Sequence, residues 1–496
     1  MTPTQTECNL PSYEFCRLSK RKLVADFSGG DLSSDGGLLL IREVDQSYRI
    51  SARLASCFRD HRDSSRVQHE LKTLIAQRLY GLVQGYEDIN DHDDLRHERL
   101  FGVVLGQLES QHRRCAPLAG KSTLNRLEQA MHVPSDLSDS RYVRMSLEPG
   151  AIEALLVELF IDQMDTQPKQ LILDMDVTDD PTHGTQDGSA FNDYYRHDCY
   201  TPLLIFCGRH LLSAKLREAN VDPAAGALEE LQRITAQIRA HWPQVKILVR
   251  GDSAYSREDI MLWCEEQPQV DFVLAHSSNN RLRALTWGLE QRAKAAYEAQ
   301  RQAVATTLAP LVGQSATELE TELHRLVPPQ VWHQSLTYRT IKSWSCERRV
   351  ICKLTYDSNG PRRHFVVTSL SAQQAHPAHL HRYYYCPRGE MENRIKEHQL
   401  DLFSGRTSTH DFESNQLRLW FSSFAYVLMQ ALRLKALANT ELADATLGTI
   451  RRKLLKLAAQ VRISVRRILV AFGSTSPSQA IFDTAFRQLQ QLPHTG

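Results

Sequence analysis

Two apolar, β-branched runs in this chain stop on acidic residues: QLILDMDV, with Asp174 and Asp176, and VKILVRGD, ending on Asp252. Runs of this length and composition read as buried strands of an α/β sheet. A carboxylate at the end of such a strand does not help packing, because burying its charge is costly unless it is paired or bound to a cation. A third acidic segment, YCPRGEMENRIKE with Glu392, opens a helix far along the chain. Three carboxylates gathered at one sheet edge would repel one another unless a hard divalent cation lay among them. That is the layout of a Mg²⁺-dependent phosphoryl-transfer site. Two ions about 4 Å apart would share one carboxylate and take one more each, so two Mg²⁺ are expected, with Mn²⁺ as a substitute.

Asp174 and Asp176 are two apart and share a strand face. Asp176, nearer the strand end and followed by Thr178, is the better ligand; Asp174 is the alternative and could act from behind it. Arg388 and Lys396 stand four residues before and after Glu392. Surface ion pairing explains that spacing; the functional reading turns Glu392 to the metals and Arg388 and Lys396 to DNA phosphates. Tyr385 would lie near the same face if the helix began early, against which Pro387 counts. His183, in DDPTHGTQ, is either a plain turn residue or a donor near the reacting phosphate. No GxSxG or Cys/His pattern supplies a protein nucleophile. AGKST at 119–123 is not a phosphate loop, since Cys115 stands where its first glycine would be.

A chain of 496 residues has room for several domains. Residues 1–150 read as a helical DNA-binding or docking domain. HELKTLIAQRLYGLV puts Leu71, Leu74, Ile75, Leu79 and Leu82 on one face. KSTLNRLEQA begins at a Ser122 or Thr123 cap and offers Arg126, beside Asn125, as a base or phosphate contact. Residues 151–280 give three strands, a helix, a strand, a helix and a strand, with a hairpin at Gly208. That order is the first part of a ribonuclease-H-like core. Residues 281–380 read as an insertion, helical to 337, then the strands LTYRTIKSW, RRVICKLTY and RRHFVVTSL with a turn at Asn359-Gly360. Residues 381–435 return to the core with helices from about 387, and 436–496 read as a basic helical region.

Formal charge is only +1, from 59 basic and 58 acidic residues, which hides a local excess. Arg451, Arg452, Lys456, Arg462 and Arg466 recur at helical spacing without an acidic neighbour. A merely solvated helix usually mixes signs, so this segment is expected on the DNA backbone. The ten cysteines form no CxxC pair or close ligand cluster, which argues against a disulfide framework or structural zinc. The opening MTPTQTECNLPSYEF does not read as a signal peptide, and no apolar stretch approaches the length of a membrane span. No membrane partner is expected, and a reducing cytoplasm is the expected location.

Together these segments resemble the DDE transposases of bacterial insertion sequences. Tyr385-x2-Arg388-x3-Glu392 is similar to the tyrosine–arginine–glutamate signature of the branch that includes the Tn-five-like enzymes. The lysine that signature places seven residues after the glutamate is Gln399 here, with Lys396 nearby. Within the branch, the thirteen-eighty group has segments like GYEDINDHDDLR, STLNRLE, LDMDVTDDPTHGTQ, RGDSAY, RGEMENRIKE and RRKLLKLAAQV, spread over roughly residues 20–470. The resemblance implies a ribonuclease-H-like core interrupted by a β-containing insertion and Mg²⁺-dependent cutting and joining of DNA. It also implies binding to terminal inverted repeats and target DNA, action as a homodimer on two transposon ends, and Asp176, Asp252 and Glu392 as the catalytic set. The rival readings are a ribonuclease-H-fold nuclease that cuts without joining and a non-catalytic DNA-binding relic.

Overall fold

The computed structural model describes residues 12–108, 116–130, 144–312 and 316–492. Cys115 and most of the N-terminal stretch read as lacking a signal lie outside these residues. The chain forms two compact units. One comprises Met1–Pro149, Asp401–Phe403 and Phe424–Gly496, the other Gly150–Leu400 and Ser404–Ser423.

The second unit is built on an eight-stranded sheet. Its strands are β1 (Gln170–Val177), β2 (Leu203–Cys207), β3 (His210–Lys215), β4 (Lys246–Gly251), β5 (Val270–His276), β6 (Gln330–Tyr338), β7 (Arg348–Asp357) and β8 (Gly360–Thr368). They lie in the order β3-β2-β1-β4-β5-β8-β7-β6. β4 runs parallel to β1 and β5, while β2 is antiparallel to β1 and to β3. Helices α1 (Pro149–Asp162), α2 (Ala227–His241) and α3 (Glu258–Glu266) supply the rest of this α/β framework.

Strand alternation decides what each face carries. Leu171, Leu173 and Met175 of β1 and Ile247 and Val249 of β4 join Leu231, Ile234 and Ile238 of α2 in the main core. Each such side chain, fully buried, contributes about 1.5–3 kcal/mol. The residues between them point to the other face, so Asp174 and Asp176 of β1 and Arg250 of β4 share it. In the parallel register Arg250 stands opposite Asp174. Two residues further along, Asp176 and Asp252 leave the sheet at the same edge.

The region read as an insertion contributes α4 (Trp287–Val312), α5 (Ala316–Leu326) and the strands β6 to β8. The strands do not form a sheet of their own, because β8 pairs antiparallel with β5 and extends the same sheet. The first of them starts at Gln330, inside the stretch expected to be helical, and stops at Tyr338, short of the end of LTYRTIKSW. Pro328 and Pro329 end the helix, and the alternating VWHQSLTY suits an extended strand. Helical turns also begin earlier than expected. Pro377–His379, Leu380–Tyr385 and Cys386–Gly389 precede α6 (Glu390–Lys396), and Pro387 falls in the first turn of a short segment, where a missing N–H is tolerated.

In the other unit Leu74, Ile75, Leu79 and Leu82 of the helix Leu71–Gln84 are buried as their spacing requires. The N-terminal region is not wholly helical, since Ser12–Leu18 and Arg21–Asp26 form a hairpin. The helix Lys121–Glu128 starts after Gly120 with no side-chain cap, so neither Ser122 nor Thr123 caps it; Arg126 lies exposed on it.

The basic C-terminal segment departs further from its reading. Ala459–Ile463 and Ile468–Phe472 pair as a hairpin, so Arg462 and Arg466 do not lie on a helix. The alternation of Val461, Ile463 and Val465 outweighs the helical spacing of the basic residues. Arg451 is not free to meet DNA. It donates to the carbonyls of Val83 (2.6 Å) and Leu82 (3.2 Å), in the last turn of the helix Leu71–Gln84, and to that of Asp401. Lys456 is likewise committed, at 2.7 Å from the buried Asp35. Arg452, Arg462 and Arg466 remain exposed. Among the described residues the cysteines are free, and no helix is long and apolar enough to cross a membrane.

Candidate active site

The strand ends, the turn after β4 and the start of α6 enclose a cleft of about 670 Å³ lined by Asp176, Asp252, Arg388 and Glu392 among others. Asp252 caps the turn Ser253–Tyr255, its Oδ1 accepting the Ala254 N–H at 2.9 Å. Gly251 lets the chain bend there, because a Cβ would come within 2.8 Å of the Tyr255 ring. Asp176 accepts its neighbour Val177 N–H at 2.9 Å through Oδ1. Its Oδ2 accepts from Arg388 Nη1 at 2.9 Å, and Nη2 of the same guanidinium lies 3.5 Å from Glu392. Burial pushes Asp176 up to about 6, helped by the Asp252 charge and opposed by Arg388.

Arg388, expected on DNA phosphates, is therefore turned onto the carboxylates and is their counter-charge. Tyr385 lies close enough to Arg388 for each to act on the other's charge. Lys396 is exposed on α6 and does not line the cleft. Asp174 is not at the cleft. Arg250 holds both its oxygens, Nε to Oδ1 at 2.6 Å and Nη2 to Oδ2 at 2.7 Å, and spends Nη1 on the Tyr384 carbonyl at 2.8 Å. A carboxylate with both oxygens bound to a buried guanidinium is a structural ion pair, which leaves Asp174 behind the cleft and not on its lining. His183 is exposed and off the cleft; its N–H donates to Gln186 Oε1 at 3.1 Å. Gln399, standing where the signature has lysine, donates to the Asp179 carbonyl at 2.8 Å and steadies the chain just after β1.

Among the described residues no three His, Cys, Asp or Glu side chains are drawn together as a ready ion site. The donor chemistry at the cleft nevertheless suits a hard divalent cation: three carboxylates share one cleft, and one of them is disfavoured in its charged form.

Several lining residues escaped the sequence reading. Asn192, Tyr194 and Tyr195 come from the hairpin after β1, and Arg257 follows the Asp252 turn. His276 closes β5, with Nδ1 2.9 Å from Ser256 Oγ and Nε2 buried without a partner. It ends a strand beside β4, so the strand-end rule that marks Asp176 and Asp252 reaches it too. The hairpin tyrosines carry no such signal.

Residues 15–494 match the family described as transposase DDE domain, group 1. The chain belongs to that family. As a DDE transposase domain it has, in general terms, a DNA-acting function. None of the curated proteins matches it. Among solved structures, this transposase-family chain is similar to a piggyBac transposase in a synaptic complex with hairpin DNA. The two are 9% identical, over 84% of this chain and 79% of that one, with a TM-score of 0.37. Nothing further about this chain follows from so distant a likeness.

Proposed function

We propose that this chain is a transposase of the thirteen-eighty kind that cleaves DNA at terminal inverted repeats and transfers the freed strand to target DNA by direct phosphoryl transfer. The observation that carries the reading is the meeting of Asp176, Asp252 and Glu392 in one cleft with Arg388 between two of them. A ribonuclease-H-like core is part of the proposal, supported by the order three-two-one-four-five of the first five strands, with the fourth and fifth parallel to the first.

Asp176, Asp252 and Glu392 are the residues that would hold divalent cations. The chemistry such cations supply when bound is activation of the attacking oxygen and stabilisation of the leaving one. Asp176 is kept in place by the Val177 N–H, and Asp252 by the turn that it caps. Arg388 balances the charge of Asp176 and Glu392. A backbone phosphate entering the cleft would compete for its guanidinium, which binds phosphate oxygens as readily as carboxylates. Asn192 and Arg257 line the same cleft but are held within the fold, the Asn192 amide by the Ala219 carbonyl at 2.8 Å and Arg257 by Asp222 and the Ala254 carbonyl. Double-stranded ends and target DNA are the proposed partners, and a homodimer the proposed working form.

The test gives purified full-length protein Mg²⁺ and a linear DNA carrying its own element's ends, then maps cuts and looks for joined products. Cuts at the repeats with strand transfer are expected. Cuts without joining would leave a nuclease, and uncut DNA would end the catalytic reading.

A further inference from the structure

Three neighbouring strands place basic side chains on one rung of the sheet. The registers of β6 with β7 and of β7 with β8 set His333 opposite Lys353 and Lys353 opposite His364. His381, from the turn Leu380–Tyr385, closes over the row. Its Nε2 is 3.2 Å from His364 Nδ1, and its ring centre is 5.8 Å from that of His333. Lys353, Arg362, His364, His381 and Tyr385 wall a pocket of about 330 Å³ whose lining contains no carboxylate.

Adjacent carboxylates are already engaged, Asp357 by Arg362 and Glu290 by Arg363. Lys353 has no ion-pair partner among the described residues. Like charges directly opposite one another weaken a sheet, so this row is tolerated with its imidazoles neutral or with an anion to offset the charge. Burial first, and then His364, Lys353 and His333, bring His381 down to about 4. Burial followed by Lys353 lowers His333 and His364 as well. The Lys353 ammonium, imidazole N–H groups and a phenol converging with no carboxylate among them suit the several oxygens of a phosphate, and Arg362, although paired with Asp357, adds positive charge beside them. Tyr385 joins this pocket to the cleft, because it lines the pocket and lies beside Arg388, which lines the cleft.

We infer that the pocket is a second phosphate-binding site, which grips a backbone phosphodiester of the bound DNA away from the bond being cut. The inference rests on the transposase reading. It gives β6 to β8 a task beyond widening the sheet, that of fixing the path of one strand as it leaves the cleft.

The test measures binding of the full chain to end DNA across a salt series, with single methylphosphonates placed along each strand. Lys353→Gln should weaken binding several-fold and lower the log–log salt slope by about 0.9, the value of one phosphate contact on duplex DNA. Lys353→Arg should restore both. One methylphosphonate position should weaken the wild type several-fold and leave Lys353→Gln indifferent. His381→Gln, read the same way, covers the case of Lys353→Gln melting early. An unchanged slope and interference profile in a variant with wild-type melting overturns the inference, while specific cutting by the wild type in the same preparation keeps the transposase reading. No specific DNA binding by the wild type sinks both. Lys353-dependent stabilisation by inorganic phosphate, with no Lys353-dependent methylphosphonate position, would make the pocket a free-phosphate site and overturn its DNA assignment.

Discussion

Asp174 and Asp176 stand two residues apart on one face of one strand, and each meets an arginine, yet the pairs behave differently. Asp174 is buried, and both its oxygens are held by Arg250, its register partner across the sheet. Asp176 lies where the strand runs out; Arg388 reaches only one of its oxygens and shares itself with Glu392. The Asp174 pair closes on itself and offers nothing to a ligand. The Asp176 pair is open, with a carboxylate that burial pushes up to about 6 and a guanidinium that a phosphate could draw away. Two residues along one strand, an ion pair closed on itself gives way to one that faces the cleft.

The largest expected effect falls on the open side. Asp252→Ala and Glu392→Ala should each cut end cleavage in Mg²⁺ by orders of magnitude while circular dichroism and end binding stay near wild type. Near-normal cleavage by either would remove that residue from the catalytic set. On the closed side, Arg250→Ala strands the buried Asp174 charge, and losing one partner of a buried pair costs about 3–5 kcal/mol. Denaturant melts should show that loss, and a wild-type midpoint would mean that Asp174 does not depend on its arginine.

Asp180 sharpens the contrast, because it is buried with no arginine at all. Its Oδ2 accepts from Thr407 Oγ1 at 2.6 Å, its Oδ1 has no partner, and burial pushes it up to about 7. Its folded value lies above the ordinary 3.8, so between the two the folded protein holds more protons than the unfolded chain. Stability from this group is thus present at low pH and lost as pH rises through about 7. Asp180→Asn should flatten that part of the stability profile, between 3.8 and about 7. An unaltered slope would show that Asp180 is charged in the fold. The smallest effect concerns the basic C-terminal segment. Neutralising Arg462 and Arg466 should lower the salt slope of DNA binding by about 0.9 each with no change in melting. Lys456→Gln, which strips the buried Asp35 of its partner, should instead lower the melting temperature.

Much of this was legible in the residues. Apolar, β-branched runs ending on Asp176 and Asp252 mark buried strands whose ends carry charge, whatever lies between them in the chain. The hairpins at Gly208 and at Asn359-Gly360 follow from turn chemistry, with φ of 59° at Gly208 and 90° at Gly360. What was hidden depends on partners distant in sequence. Nothing near Asp174 announces Arg250, and nothing in RRKLLK says that Arg451 will satisfy the carbonyls of Leu82 and Val83. The same holds for the sheet-extending role of β6 to β8, since a strand's pattern does not name its neighbour. The helical reading of 459–472 failed because spacing of charges was weighed over β-branched alternation.

The most direct test sets Asp174→Asn against Asp176→Asn in one assay, scoring single-turnover cleavage of end DNA in Mg²⁺ beside the melting temperature. The two substitutions are chemically identical and two residues apart. Asp176→Asn should abolish cleavage while melting at or above wild type, because it removes a charge that burial disfavours. Asp174→Asn should melt lower and still cleave through its folded fraction. Cleavage near the wild-type rate by Asp176→Asn, or its abolition by Asp174→Asn in a fully folded protein, would contradict the account.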